Sequence, residues 1–294
     1  MIGGAHPLSH MEAKRTRMRR HIITIVLIVA FLGGLTLLLY PTVSDWWNFQ
    51  HQSRAVSTYI ETVAQIDNHR YEQIWGESRA YNAKLAMKKM DFQLTDEQLE
   101  EYNELLNVSG NGIMGVVNIP TINVTLPIYH GTDESVLQIA IGHIAGTSLP
   151  VGGESTHCVI SGHRGLPRAK LFTDIDKLVV GDRFTLNVLD EVLTYEVDQI
   201  RIVLPYELEN LSIEEGKDYC TLVTCTPYGI NTHRLLIRGH RIETKADAHE
   251  VRITADALQI DEKLVAIFIA APLVFLLGLG AIVGSNIQRK RIKK

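Results

Sequence analysis

Cysteine is scarce in this 294-residue chain. There are three, Cys158, Cys220 and Cys225. Three cannot all pair with one another, so no complete disulfide framework exists and at least one thiol is left free. A surplus of either charge is missing too: 29 Lys and Arg face 33 Asp and Glu, for a net charge of −4, which gives no reason to expect nucleic acid as a partner. Internal repeats and low-complexity segments are also absent. The length suits one ordinary domain, or two small ones, with membrane segments added.

Charge is lacking altogether from two stretches, Ile22 to Tyr40 and Leu264 to Val283. Each has about the 20 residues needed to cross a bilayer as a helix. The alternative is a pair of buried core helices, but both stretches are apolar all round rather than along one face. Lys14, Arg15, Arg17, Arg19 and Arg20 precede the first; Arg289, Lys290, Arg291, Lys293 and Lys294 come after the second. Basic flanks stay cytoplasmic, so both termini are expected inside and the intervening segment outside. A cleaved signal peptide is the alternative for the first stretch. Its apolar core is long, however, and "LLLYPTVSDWW" lacks a small-x-small cleavage site, which favours an uncleaved anchor. The opening "MIGGAHPLSH" reads as a vector remnant.

These patterns divide the chain. Residues 1–21 form a basic cytoplasmic start and 22–40 a transmembrane helix. Residues 41–107 form an extracellular helical region, and 108–245 a β domain. A linker at 246–263, a second transmembrane helix at 264–283 and a basic cytoplasmic tail at 284–294 complete the expected organisation. From Gln50 onward, "STYIETVAQIDNHRYEQIWGESRAYNAKLAMKK" carries apolar residues at mixed three and four spacing, as a helix does. "LTDEQLEEYNELLN" is a second helix, with Thr95 as its cap and Gln98 as the capping-box partner. A connector, "KMDFQ", separates them. After "SGNG" the pattern changes to short β-branched runs: "IMGVVNIP", "INVTLPIY", "THCVISGHR", "RFTLNVLD", "LTYEVDQIRIV", "CTLVTCT" and "RLLIRGHRIE". "DESVLQIAIGHI" and "AKLFTDIDKL" read as short helices. Seven or eight strands without strong helices between them predict a closed antiparallel barrel or a sandwich.

One cysteine stands at a position suited to chemistry. Cys225 closes "TLVTC", and Arg234 opens the next apolar run nine residues on. If those residues form a loop between adjacent antiparallel strands, the two side chains face one another. A thiolate attacks carbonyls far better than a thiol, so a Cys nucleophile needs a nearby basic or positive group. An arginine is a fixed cation with several donors, suited to a tetrahedral oxyanion. Histidine is the expected acid–base group. Of 12 histidines, His163 in "VISGHRGLP" is the first candidate, because it comes after a β run and beside Gly162, Gly165 and Pro167. His143 in "AIGHIAG" is second. Cys158 and Cys220 have no motif around them and are expected as small buried apolar residues in strands. A Cys158–Cys220 disulfide is the alternative.

"SGHRGLP" followed by "TLVTCTPYGINTHRLLIRG" resembles the sortases, the cysteine transpeptidases of Gram-positive surfaces. Within them the chain is most similar to class C, the pilin-polymerising sortases, over about Tyr102 to Ile242. The resemblance implies an eight-stranded sortase-type β-barrel behind N-terminal helices, flanked by two transmembrane helices. It implies His163 as the catalytic histidine, Cys225 as the nucleophile and Arg234 as the arginine that binds the sorting signal and the oxyanion. It further implies cleavage of an LPXTG-like signal between Thr and Gly, an acyl-thioester on Cys225, and resolution by a lysine of the next pilin subunit. No cofactor and no metal are implied. Attachment of surface proteins to a cell-wall precursor is the alternative outcome. Class C chains carry a lid with an Asp-Pro-aromatic motif; here Asp91 and Phe92 stand at the equivalent place with no proline between, so the stiffness proline confers is missing. Trp75-Gly76-Glu77 is a weaker lid candidate.

Overall fold

The computed structural model describes residues 7–88, 92–166 and 169–244. The expected second transmembrane helix at 264–283 and the flanking linker and tail lie outside the described residues.

The chain begins with one long helix, α1 (Pro7–Val63), which passes through Pro41 without ending. It is therefore longer than the expected span at 22–40. Nearly all of its side chains from Ile22 to Tyr40 are exposed, on every side of the helix. It is the one helix among the described residues that is long and apolar enough to cross a membrane. Farther along, α1 changes role. Val56 and Tyr59 are buried, and the Tyr59 hydroxyl donates to the Met114 carbonyl (3.1 Å) while accepting from the Leu189 amide (2.8 Å). One phenol thus ties the helix to two separate parts of the barrel.

The helical pattern that continues beyond Gln50 is broken by a turn at Ala64–Asp67. Asp67 caps the next helix, α2 (Asn68–Ala86), by accepting the Arg70 amide at 2.8 Å. The buried side of α2 carries Ile74, Trp75 and Tyr81. Asn82 makes a two-way clamp on Leu149, accepting its amide (2.7 Å) and donating to its carbonyl (3.1 Å). Helix α3 (Asp96–Glu104) starts with the capping box anticipated from Thr95 and Gln98. Trp75 is built into the core as part of α2, stacked on Tyr71 and covered by the Arg79 guanidinium, so it belongs to the helix and forms no lid.

Eight strands come next: β1 (Ile113–Ile119), β2 (Val124–His130), β3 (Ile141–His143), β4 (Thr156–Ser161), β5 (Arg183–Val188), β6 (Glu191–Val203), β7 (Asp218–Thr226) and β8 (His233–Ile242). A one-turn helix, α4 (Glu134–Leu137), lies between β2 and β3. The strands close into a barrel in the order β1-β2-β3-β4-β7-β8-β6-β5. The expectation of a purely antiparallel barrel is corrected: β2 pairs with β3, and β4 with β7, in parallel. Parallel neighbours need a crossover rather than a hairpin. The short route through α4 supplies one, and the excursion through β5 and β6 supplies the other. The run "AKLFTDIDKL" holds only a 3₁₀ turn at Ile175–Lys177.

Side chains alternate across the wall. Cys158, Ile160, Cys220, Leu222, Leu235 and Ile237 join the main core, while Val159, Val203, Leu211, Val223 and Leu236 form a second apolar cluster on the opposite face. The same outer face carries Cys225 and Arg234, so the cluster forms an apolar floor beside them.

Candidate active site

Cys225 is the penultimate residue of β7 and Arg234 the second residue of β8, and the two are direct cross-strand partners. The spacing anticipated between them therefore corresponds to a six-residue loop, Pro227 to Thr232, joining adjacent antiparallel strands. Both side chains lie on the outer face, in line with Val223 and Leu236.

The parallel neighbour supplies the histidine. β4 pairs with β7 through Ser161↔Val223. The pairing outlasts the strand: the Gly162 amide donates to the Val223 carbonyl (3.0 Å), and the Thr224 hydroxyl donates to the Gly162 carbonyl (2.8 Å). His163 follows two residues after Ser161, as Cys225 follows two residues after Val223. Arg234 on β8 thus faces Cys225 directly, and His163 lies in the segment that leaves the end of β4, the strand on the other side of β7.

Local packing explains the residues around the histidine. A Cβ on Gly162 would stand 2.7 Å from Ile141 Cγ2 and 2.8 Å from Phe172 Cδ2, so only glycine lets β4 leave the sheet here. Gly165 has φ +76°, and a Cβ there would meet the Tyr228 ring at 2.8 Å. Arg164, largely buried, pairs with Asp176 and holds its guanidinium 5.7 Å from the Tyr228 ring centre. The His163 carbonyl accepts the Phe172 amide at 3.1 Å. The glycines and the arginine of this motif are therefore scaffolding for the one imidazole. Sequence pattern alone did not reveal its nearest acidic neighbour: Glu134 Oε2 lies 3.7 Å from His163 Nε2.

Arg234 uses Nη1 to donate to the carbonyls of Asn231 (3.3 Å) and His233 (3.1 Å), which fixes the fork against its own loop. Of the lid pair, Asp91 lies outside the described residues. Phe92 is half-buried and packs on the outer cluster of Val159, Val203, Leu211, Val223 and Leu236, together with Ile144. Val223 precedes Cys225 by two residues on the same face of β7.

The second histidine candidate has a different role. His143 is fully buried; its Nδ1 is 3.0 Å from the Tyr102 hydroxyl and its Nε2 is 2.8 Å from the Ser148 carbonyl. It ties α3 to the barrel wall and does not reach the outer face. Cys158 and Cys220 are cross-strand partners in β4 and β7, both buried and both free thiols, as anticipated for small apolar residues. Burial and the neighbouring Cys158 thiol push Cys220 well above the ordinary thiol range. Cys225 is half-buried and is the one thiol of the three that meets solvent.

The chain that folds into this closed eight-stranded barrel with its Cys–Arg strand pair is matched by a sortase-domain profile over residues 117–242. Sortase C1 from Streptococcus agalactiae is 50% identical, with a TM-score of 0.64 over 65% of this chain and 100% of that one. The chain belongs to the sortase family. Sortase C from Streptococcus pneumoniae, whose structure bears on catalysis and pilin substrate specificity, is 47% identical over 66% of this chain and 98% of that one, with a TM-score of 0.60. Sortase D from Bacillus subtilis is 31% identical over 44% of this chain; the match spans 63% of that protein's length. The structural neighbours of this sortase are class C enzymes, and the family is one of cysteine transpeptidases acting on surface proteins.

Proposed function

We propose that this sortase polymerises pilins, with Cys225 as nucleophile, His163 as general acid and base, and Arg234 as the oxyanion and sorting-signal donor. The observation that supports the reading is the β7–β8 register, which makes the half-buried Cys225 the direct cross-strand partner of Arg234 on one face of the barrel. The Cys225 thiolate adds to the threonine carbonyl carbon of an LPXTG-like signal. Arg234 donates to the oxygen as it becomes an oxyanion, a role worth about 100- to 1,000-fold per donor in comparable sites. His163 then protonates the departing glycine amine as the C–N bond breaks, leaving an acyl-thioester. In the second half His163 takes a proton from a pilin lysine amine, which attacks the thioester, forms the isopeptide bond and releases Cys225. General acid–base help of this kind contributes about 100- to 10,000-fold.

In the same reading the enzyme is anchored by α1, with both termini cytoplasmic and the barrel on the outer surface of a Gram-positive membrane. Asp91 and Phe92 act as the lid segment, with the Phe92 ring covering the thiol. The test is mass spectrometry for an LPXT fragment bound to Cys225 after incubation with a pilin, and then identification of the acceptor. A lysine-linked product supports polymerisation. A product joined to a cell-wall peptide amine instead identifies an attachment enzyme, and no adduct at Cys225 overturns the assignment.

A further inference from the structure

We infer that Glu134 is a positioning residue for His163. The inference rests on the acid–base role proposed for His163 and adds a third member to that site. Glu134 opens α4, the single turn between β2 and β3. One of its carboxylate oxygens, Oε1, is taken by the side-chain amide of Gln138 in the same turn. The other, Oε2, is turned to His163 Nε2 at 3.7 Å.

The carboxylate is held from behind. The Val136 and Leu137 amides donate to the Asp133 carbonyl at 2.9 and 3.0 Å, and the Ala140 amide donates to the Val136 carbonyl at 2.9 Å, so the turn is closed on itself. Gln52 of α1 then donates to the Ile139 carbonyl at 2.6 Å, which fixes the end of the turn to the long helix. The chain of contacts runs from α1 through α4 to the imidazole. A short turn anchored at its far end is a better support for a side chain than a free loop, because it fixes the backbone position from which the carboxylate reaches the ring.

At 3.7 Å the contact is longer than a formed hydrogen bond. Catalytic hydrogen bonds are commonly long before substrate binds and tighten in the reacting complex. A carboxylate on Nε2 keeps the proton of the neutral ring on that nitrogen, since the tautomer is set by the hydrogen bond that the other nitrogen makes. Nδ1 is then the nitrogen left to exchange a proton with thiol and amine. Glu134 is largely exposed, so solvent screens it and the effect is a few-fold, the size an exposed ion pair supports.

The experiment uses the full chain in detergent micelles with an LPXTG peptide donor and a lysine acceptor. Glu134→Gln, Glu134→Asp and His163→Ala are compared, with circular dichroism to confirm folding. In parallel, ¹⁵N-histidine spectra of wild type and Glu134→Ala report the tautomer of the neutral ring, the His163 signal being identified by its loss in His163→Ala. The expected result is a roughly 2- to 5-fold lower kcat in Glu134→Gln with KM unchanged, intermediate kcat in Glu134→Asp, and a mixed tautomer in Glu134→Ala. Wild-type kcat in Glu134→Gln with an inactive His163→Ala overturns this inference and leaves the site intact. Full activity in His163→Ala overturns the site itself. A change confined to KM in Glu134→Gln makes Glu134 a substrate contact and also overturns the inference.

Discussion

Removing the Phe92 ring should expose Cys225. The ring is half-buried on Val159, Val203, Leu211, Val223, Leu236 and Ile144. Full burial of such a side chain is worth about 1.5–3 kcal/mol. Because part of this ring still meets solvent, the lower end applies, about 1.5 kcal/mol, or about tenfold in the closed-to-open ratio. Phe92→Ala should therefore raise the rate at which a charged methanethiosulfonate labels Cys225 by about tenfold. Hydrolysis of an LPXTG peptide should rise in the same direction. Labelling read by mass spectrometry reports Cys225 alone, because Cys158 and Cys220 are buried, and Cys225→Ala gives the blank. A labelling rate within about twofold of wild type would refute the argument, because the ring would then not control access to the thiol.

Cys225→Ala should abolish transpeptidation and leave the thermal melt nearly unchanged, checked by peptide cleavage and circular dichroism. Arg234→Lys should lose about 100-fold or more in kcat although the charge is kept, because an ammonium lacks the planar fork that donates to two partners at once; near-normal turnover would show that net charge suffices. His163→Ala should be inactive, whereas His143→Ala should retain a working site but melt at lower temperature, since His143 is fully buried and bonded to Tyr102 and Ser148. Stability should fall on acidification. His157 is buried between the Ser212 carbonyl and the Thr221 hydroxyl, and burial, then the Arg238 charge, hold it at about 4 against an ordinary 6.5. Its folded value is depressed, so the unfolded chain takes up the proton first. Its contribution is thus fully present above about pH 6.5 and is lost as pH falls toward about 4, a total of about 3 kcal/mol. Urea midpoints at the two ends of that range measure the loss, and His157→Gln should flatten the slope; an unchanged slope in the variant would refute the attribution.

Much of the barrel was legible because its long strands announce themselves locally. The seven β-branched runs became β1, β2, β4, β5, β6, β7 and β8. The pair at the site was legible because a short stretch with a proline and a glycine, six residues between the two strands, leaves little choice but a hairpin. β3 escaped notice for the opposite reason: three residues carry no alternation, and Ile141–His143 is a strand only because β2 and β4 pair with it on either side. The parallel pairings escaped with it, since strand direction is set by distant partners and not by the residues of the strand. The first apolar stretch was expected to end at Tyr40, yet α1 runs on through Pro41; proline removes one backbone hydrogen bond, a loss that long apolar helices tolerate. Glu134 was invisible because its value lies in where α4 delivers it, and an exposed glutamate opening a short turn looks like any other.

The unbroken α1 gives the enzyme a shaft in place of a tether. About 19 residues separate Tyr40 from Tyr59, roughly 28 Å of helix at 1.5 Å per residue, and the far end is pinned to the barrel at two points by one phenol. A shaft transmits rotation as well as distance. Each added residue turns the chain beyond it by about 100° and lifts it by about 1.5 Å. One alanine inserted near Gln50 would thus aim the face bearing Cys225 in a different direction relative to the apolar stretch without changing a single contact inside the barrel. The compass bearing of the active site is consequently written in the number of residues between Tyr40 and Tyr59.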